Sequence, residues 1–472
     1  MTETLNRPQK PMYAAGHDSP PATPPSPAHD RDVERTLAVL HLVLGAPAER
    51  GFDIRLWNGY LDVATGTPRA NFSLAFTRRG ALRRMLLPPS ELTIAEALVS
   101  GDVEVHGPLI SAVGLGDVIG DRINSVGAAA ALLPLLLKLP RDGEQTALAS
   151  SRYTRTPRAL NPGGRRSEAD EIRFHYDVGN DFYALWLDPH MLYTCAYYRT
   201  AHDDLATAQT AKLDHICRKL RLAPGERMLD IGCGWGGLVM HAAEKYGVHA
   251  RGITLSAAQA EWAQRRIVER GLADRCQVDV MDVRDLPTDV HFHKMTSVGV
   301  TEHIPEAQQP EYFARAFAAL LPGGLFMNHC EVSNLMARNR NTIGARFRAW
   351  LWKRDQFIDR YVFPDARLVP LGSVVTSAER AGFETRDVES LREHYALTLH
   401  AWLGNLQDRR AEALALVGER TLRVWELYMT VAARGFEIGA IGLAQVLLSK
   451  PTSAGDARLP FTRDDIYAPR PG

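Results

Sequence analysis

The stretch Met228-Leu229-Asp230-Ile231-Gly232-Cys233-Gly234-Trp235-Gly236-Gly237 decides the fold. An apolar approach meets Gly232, Gly234 and Gly236 in G-x-G-x-G spacing, and a helical pattern follows. A strand turning sharply into a helix beneath a nucleotide needs such glycines, because a Cβ would block the turn or the ligand. The spacing is neither the G-x-G-x-x-G of a dinucleotide site nor a P-loop, since no G-K-[ST] follows. With Asp230 ahead of the first glycine, the D-x-G-x-G form points to a nucleoside lacking a pyrophosphate. S-adenosylmethionine is the leading candidate.

The surroundings continue the pattern. Arg227 to Ile231 reads as a first strand and Gly237 to Tyr246 as its helix. His249 to Leu255 reads as a second strand, Ala257 to Arg270 as a helix, and Cys276 to Val280 as a third strand. Lys294 to Val300 reads as a fourth strand and Pro310 to Leu321 as a helix. A fifth strand, Gly324 to His329, follows a Pro322-Gly323-Gly324 turn. Strands alternating with helices predict an α/β, Rossmann-like, mainly parallel doubly wound sheet with ligands at the carboxyl ends of its strands.

Toward the N-terminus, residues 1–30 are Pro-rich and read as a disordered tail. Residues 31–125 read as a small α+β domain with a helix from Arg35 to Gly45 and strands at 52–57 and 71–76. Residues 126–170 hold an apolar run, Val126 to Leu137, and a linker. The main domain takes 171–450, and 451–472 form a C-terminal tail. The apolar run is about half of a membrane span, and the N-terminus has no signal-peptide pattern. With 55 basic and 55 acidic residues, the charge balance argues against a nucleic-acid binder. Five cysteines without a C-x-x-C pair argue against zinc or a disulfide framework, and no metal is expected. A reducing cytoplasm fits.

Several strand ends carry chemistry. Thr254-Leu255-Ser256, with Gln259 a turn later, stands where a ribose would lie, although Ser256 also reads as a helix N-cap. Met281 and Asp282 stand where an adenine ring and its amino group would be met, the alternative being a solvated turn. Glu302 and His303 end the fourth strand, and His329-Cys330-Glu331 end the fifth. On composition Cys195 is a small buried residue. Tyr395 lies on an amphipathic helix as a core candidate. Spacing alone does not bring these segments together.

The chain resembles the cyclopropane-fatty-acid synthases, including the mycolic acid cyclopropane synthases. The resemblance rests on His175-Tyr176-Asp177-Val178-Gly179-Asn180-Asp181-Phe182-Tyr183, Tyr193-Thr194-Cys195-Ala196-Tyr197 and Ala211-Lys212-Leu213. It continues through Leu229 to Gly237, Gly252 to Ser256, Ser297-Val298-Gly299 with Glu302-His303, and Tyr361-Val362-Phe363-Pro364. It spans roughly residues 170–450. It implies a class I methyltransferase that moves the methyl group of S-adenosylmethionine to the double bond of an unsaturated acyl chain in phospholipid, forming a cyclopropane ring. Methyl-branching or methylenation without ring closure, or an inactive lipid-binding protein, are the other outcomes considered.

The resemblance implies that Cys195, Glu302, His329 and Tyr395 hold a bicarbonate base, with the Glu331 amide beside it. It implies that Tyr193, Thr194, Asp230, Gly232, Gly234, Gly236, Thr254, Leu255, Gln259, Met281 and Asp282 bind the cofactor. Peripheral contact with the inner face of the membrane is expected, and a homodimer is compatible. Four departures stand out. The family's Met-Phe-Glu-His is Val300-Thr301-Glu302-His303, the aspartate-tyrosine pair is Asp282-Val283, and Glu331 is a carboxylate where a small or apolar residue is usual. The segment from Asn334 to Arg354 also looks longer. It combines Arg338, Arg340, Arg346, Arg348, Lys353 and Arg354 with Phe347, Trp350 and Trp352, which suits an anionic lipid surface or a solvated helix face.

Overall fold

The computed structural model describes residues 30–88, 90–122, 126–142, 178–334, 357–362 and 368–467. His175 to Asp177, Phe363-Pro364 and the basic, aromatic segment from Arg338 to Arg354 lie outside them. Two compact units share the described residues. One takes those between 30 and 142, 357–362 and 406–434, and the other takes 178–334, 368–405 and 435–467.

The first unit holds a four-stranded sheet of β1 (Ile54–Arg55), β2 (Leu61–Asp62), β3 (Ser73–Phe76) and β4 (Val103–His106), in the order β2-β1-β3-β4. The strands at 52–57 and 71–76 are thus shorter than the alternation predicts. The helix Arg31–Leu44 starts earlier than predicted, because the Asp30 carboxylate accepts from the Asp32 amide at 2.9 Å and caps it. Buried Asp62 accepts from Arg50 at 2.5 Å and pairs with His41 at 2.8 Å, so its charge is compensated. The apolar run forms the helix Val126–Leu137. Its Leu132 and Leu136 are buried, while Leu133 and Leu137 are 52% and 57% exposed. Tyr361, from the Tyr-Val-Phe-Pro motif, donates to Glu96 at 2.9 Å within this unit.

The second unit is built on β5 (Arg227–Ile231), β6 (His249–Thr254), β7 (Cys276–Val280), β8 (Phe292–Val298), β9 (Leu320–Ser333), β10 (Glu384–Ser390) and β11 (Ile441–Ser449). Their order is β10-β11-β9-β8-β5-β6-β7. The five strands β5 to β9 run parallel, and β11 runs antiparallel to both β9 and β10. Both faces are covered, which explains the continuous apolar strands. Met228 packs with Leu213, Leu238, Ala260 and Ile267 on one side. Leu229 and Ile231 pack with Tyr312, Phe313, Val374 and Ala378 on the other. Each fully buried aliphatic or aromatic side chain of this kind contributes about 1.5–3 kcal/mol.

Strand β9 begins four residues before its predicted start. Leu320 pairs with Phe292 and Leu325 with Lys294, so the Pro322-Gly323-Gly324 turn loops out within the strand. Strand β10, Glu384 to Ser390, has one buried residue in seven and no apolar signature. Long-range charge pairing holds it. Fully buried Lys219 meets Glu389 at 2.6 Å and Asp387 at 3.1 Å, and His215 meets Glu389 at 2.7 Å. Desolvation pushes the Glu389 carboxyl up, but His215 and Lys219 outweigh it and hold the group down at about 2.

The chain reverses strand order between β5 and its neighbours β6 and β8, and the glycine loop stands at this switch point. Gly232 has φ +73°, and a Cβ there would lie 2.3 Å from the Val300 Cγ2 in the loop after β8. Gly234 has φ +54° but would meet nothing within 4 Å. Alanine at Gly234 therefore costs about 1–2 kcal/mol for its left-handed backbone alone. Alanine at Gly232 adds an overpacking penalty of about 1–3 kcal/mol. Urea unfolding of the two variants should rank Gly232→Ala as clearly the less stable, and equal midpoints would contradict this.

Candidate active site

The loop from Gly232 to Gly236 opens between the carboxyl ends of β5, β6 and β8. Asp230, next to last in β5, is buried and accepts from the Thr296 hydroxyl at 2.6 Å. Desolvation raises its carboxyl to about 7, against the Thr296 hydrogen bond and the nearby Lys212 charge. The glycines divide their work. Gly232 makes room for Val300, Gly236 sits 3.1 Å (as a Cβ) from the Ala263 Cβ, and Gly234 faces open space.

At β6, Thr254 donates to the Gln259 side-chain oxygen at 2.9 Å, and Ser256 caps the next helix through the Gln259 amide at 3.3 Å. Leu255 is half-buried beside them. The hydroxyl of Thr254 is thus engaged in fixing the turn, while Ser256 caps the helix as the N-cap reading expects. Met281 follows β7, its amide bonded to the Thr254 carbonyl at 3.0 Å. Asp282 grips Arg284 through side-chain contacts of 2.9 and 2.5 Å and accepts from its amide at 2.8 Å. The carboxylate predicted to meet adenine is therefore already charge-paired.

Tyr193 and Thr194 are fixed by the helix Leu205–Lys219. The Gln209 amide donates to the Thr194 carbonyl at 2.8 Å, and the Lys212 ammonium donates to the Thr194 hydroxyl at 2.6 Å. Lys212 is buried, and desolvation lowers it to about 8 although Asp188, Cys195 and Asp230 favour its charge. The Tyr193 ring lies 5.2–5.5 Å from the rings of Tyr183, Trp186 and Trp402. Trp235, inside the glycine loop, stands 5.0 Å from Tyr183 and donates to Asn180 at 2.8 Å. Aromatic rings thus wall the crevice beside the glycines.

A second group of polar residues adjoins this wall. Cys195 is fully buried, with its thiol against the Ala196 carbonyl at 3.2 Å and the Leu391 carbonyl at 3.9 Å. Burial pushes that thiol up, so it is a neutral donor and not a nucleophile. Leu391 precedes the helix Arg392–Asp408, whose Tyr395, Thr398 and Trp402 recur at helical spacing. Thr398 accepts from the Ala196 amide at 3.0 Å and thereby ties this helix to the Cys195 segment. Glu302 sits in a short turn after β8, 9% exposed, and its Oε2 has no hydrogen-bond partner among the described residues. A Cβ on Gly299 would touch both Thr194 and Glu302, which places these two side by side.

His329 and Glu331 are two residues apart on β9 and so face the same side. His329 is 1% exposed. The Gln445 side-chain nitrogen meets its Nδ1 at 3.2 Å, while Nε2 has no partner among the described residues. Burial holds the imidazole well below its usual range, so it stays neutral. Tyr395 hydrogen-bonds the Glu331 carboxyl. Desolvation pushes Glu302 up to about 8, with the Glu331 charge adding to it. Desolvation likewise lifts Glu331 to about 7, against the Tyr395 hydrogen bond.

Cys195, Glu302 and Tyr395 thus lie around Glu331, and His329 stands two residues before it on the same face of β9. Sequence reasoning assigned no role to Lys212 or Arg284. A lysine on the buried face of an otherwise apolar helix segment is the available signal for the first, and a basic residue two after Asp282 for the second. Thr301, in place of the family's aromatic, donates to Asn328 at 2.6 Å, so a buried polar pair fills that space.

The mycolic acid cyclopropane synthetase family model matches residues 164–446. The chain belongs to that family. It is 37% identical over 414 residues to a probable fatty acid methyltransferase of Pseudomonas putida, covering 88% of this chain and 95% of the relative. It is 36% identical to the cyclopropane-fatty-acyl-phospholipid synthase of Escherichia coli over 281 residues, 60% of this chain and 68% of that one. A solved mycolic acid cyclopropane synthase, CmaA1, complexed with SAH and CTAB, superposes with a TM-score of 0.56 at 32% identity, covering 59% of this chain and 97% of that one. The protein is an S-adenosylmethionine-dependent methyltransferase of the class I fold, from a family that methylates unsaturated lipids.

The carboxyl pair generates a pH prediction. Both groups are raised in the folded protein, so between their unfolded and folded values the native state holds protons that the unfolded chain has released. Their contribution is therefore complete below the unfolded pKa of 4.5 and is lost as pH rises toward about 8. A Glu302→Gln, Glu331→Gln double variant should lose less stability across that window than the unmodified chain in denaturant titrations. A parallel pH dependence for both proteins would refute the assignment.

Proposed function

We propose that the enzyme transfers the methyl group of S-adenosylmethionine to the double bond of an unsaturated acyl chain in phospholipid and closes a cyclopropane ring. The carrying observation is the meeting of the Cys195, Glu302, His329 and Tyr395 cluster with the aromatic wall of Tyr183, Trp186, Tyr193 and Trp402 beside the glycine loop. An alkene has no polar handle, so apolar walls hold it, and ring faces favour the cation that forms on the chain. S-adenosylmethionine supplies an electrophilic methyl group when bound.

In this reading Asp230, Gly232, Gly234, Gly236, Tyr193 and Thr194 cradle the amino-acid and ribose parts of the donor. Thr254, Leu255, Gln259, Met281 and Asp282 border its nucleoside. Gly234 is the position where a Cβ has no protein neighbour, as a ligand-facing residue requires. Lys212 places Thr194 and offsets Asp230.

Bicarbonate, the base implied by the resemblance, meets a site that already contains two carboxyl groups. The free Nε2 of His329 suits an anion, but Tyr395 is engaged by Glu331, and Glu302 with Glu331 opposes a further negative charge. The residues do not fit the ion, and no step is assigned to it.

A second reading is methyl-branching or methylenation of the chain without ring closure. It is favoured by the name of a relative that covers 88% of this chain, a probable fatty acid methyltransferase, and by the carboxylate at Glu331. Either product requires access to lipid. Among the described residues no helix is long and apolar enough to cross a membrane. Exposed Leu133 and Leu137, one helical turn apart, provide an apolar edge suited to a peripheral encounter.

Mass spectrometry of fatty acids from cells expressing the chain tests both readings. A gain of one methylene unit with loss of the olefin signal means ring formation. The same gain with the olefin retained means methyl-branching or methylenation, and no gain removes both. Glu302→Gln should abolish turnover while S-adenosylhomocysteine affinity, measured by calorimetry, stays within a few-fold. Collapse of that affinity would place Glu302 in the cofactor site instead.

A further inference from the structure

The place where the resemblance locates an external anion is bordered by a side chain that carries its own carboxylate. Glu331 lies two residues beyond His329 on the same face of β9, across the ladder from Leu443 of β11. It keeps part of its surface open, although its carboxyl lies deep enough for desolvation to dominate it. Tyr395 hydrogen-bonds that carboxyl, and Glu302 stands near enough for its charge to be felt there. Cys195 also senses the Glu331 charge. Of the side chains expected around a planar oxyanion, Tyr395 thus bonds Glu331 directly, and Glu302 and Cys195 lie close to it.

We propose that Glu331 is the proton acceptor of this enzyme, a built-in carboxylate standing where an exchangeable bicarbonate would otherwise be bound. The proposal rests on the methyltransferase reading above. The double-bond electron pair forms the bond to the transferred methyl carbon, and the carbon–sulfur bond breaks toward sulfur. The cation left on the acyl chain then gives up a proton to a Glu331 oxygen. The electrons of that carbon–hydrogen bond close the ring, or form a new double bond when the proton leaves a neighbouring chain carbon.

Tyr395 holds the acceptor oxygen in place, and neutral His329 is left as a donor. Glu302 shares the proton with Glu331, since two adjacent carboxyls favour a single negative charge between them.

The test uses the full chain, unsaturated phospholipid vesicles and carbon-dioxide-free buffer. The unmodified enzyme should turn over at the same rate with and without added bicarbonate. Glu331→Ala should lose about a hundredfold or more in turnover, the range for removing a positioned base, and recover part of it when bicarbonate is supplied. Glu331→Gln fills the space without a base, so it should be equally slow and not be rescued.

Line broadening of carbon-13-labelled bicarbonate gives a readout free of turnover. It should appear with Glu331→Ala and be absent with the unmodified enzyme and with Glu331→Gln. S-adenosylhomocysteine affinity within a few-fold of the unmodified value certifies that each variant is folded. Stimulation of the unmodified enzyme by bicarbonate, or broadening by it, would overturn the proposal, as would full activity of Glu331→Gln. If no unsaturated lipid is modified by any form, the substrate reading has failed, while the broadening pattern still decides the role of Glu331.

Discussion

The bare Cα of Gly232 lets the Val300 methyl come closer than any side chain would permit. That contact joins the end of β5 to the loop after β8 at the point where the strand order reverses. Two residues beyond Val300 lies Glu302, and two before it lies the strand end that bonds onward to β9 through Gly299 and the His329 carbonyl at 2.9 Å. The spacing between glycine loop and polar cluster is therefore fixed in part by the close approach of Val300 to Gly232.

Around that hinge point the protein manages an unusual amount of buried charge. Lys212, Asp230, Glu302 and Glu331 would each be costly alone in a low-dielectric interior. They respond in the expected directions, the lysine downward and the carboxyls upward. The interior thus holds groups close to neutrality, ready to exchange protons at modest cost. The contrast is Glu389, which lies against Lys219 and His215 and stays firmly ionised. The same residue type is kept as a structural anion at one edge of the sheet and as a proton-sharing group at its carboxyl end.

Much of this was legible before the coordinates. The strands Arg227–Ile231 and Cys276–Val280 and the helix Gly237–Tyr246 have the predicted bounds, because local pattern and tertiary burial agree there. Strand β10 was not legible. Its charged residues are stabilised by partners more than 160 residues away, which no periodicity records. The residues Cys195, Glu302, His329 and Tyr395 could be named through resemblance, but their convergence depends on topology. Asp282 was read as free for a ligand, and only the fold shows Arg284 folded back on it. Glu331 was visible as an odd residue in a known motif, while its bond to Tyr395 required the helix Arg392–Asp408 to be in place.

Strand β11 has a further consequence. It is the last strand among the described residues, and it inserts between β9 and β10. Its Gln445 puts a side-chain nitrogen on Nδ1 of His329. That contact selects one tautomer and leaves the proton on Nε2. The protonation pattern of the site is thus specified by a side chain 116 residues away along the chain. Without β11 the chain would keep every polar group of the cluster but lose the contact that fixes the His329 tautomer. Competence for acid–base work would then depend on the closing of one strand that carries none of the cluster's own residues.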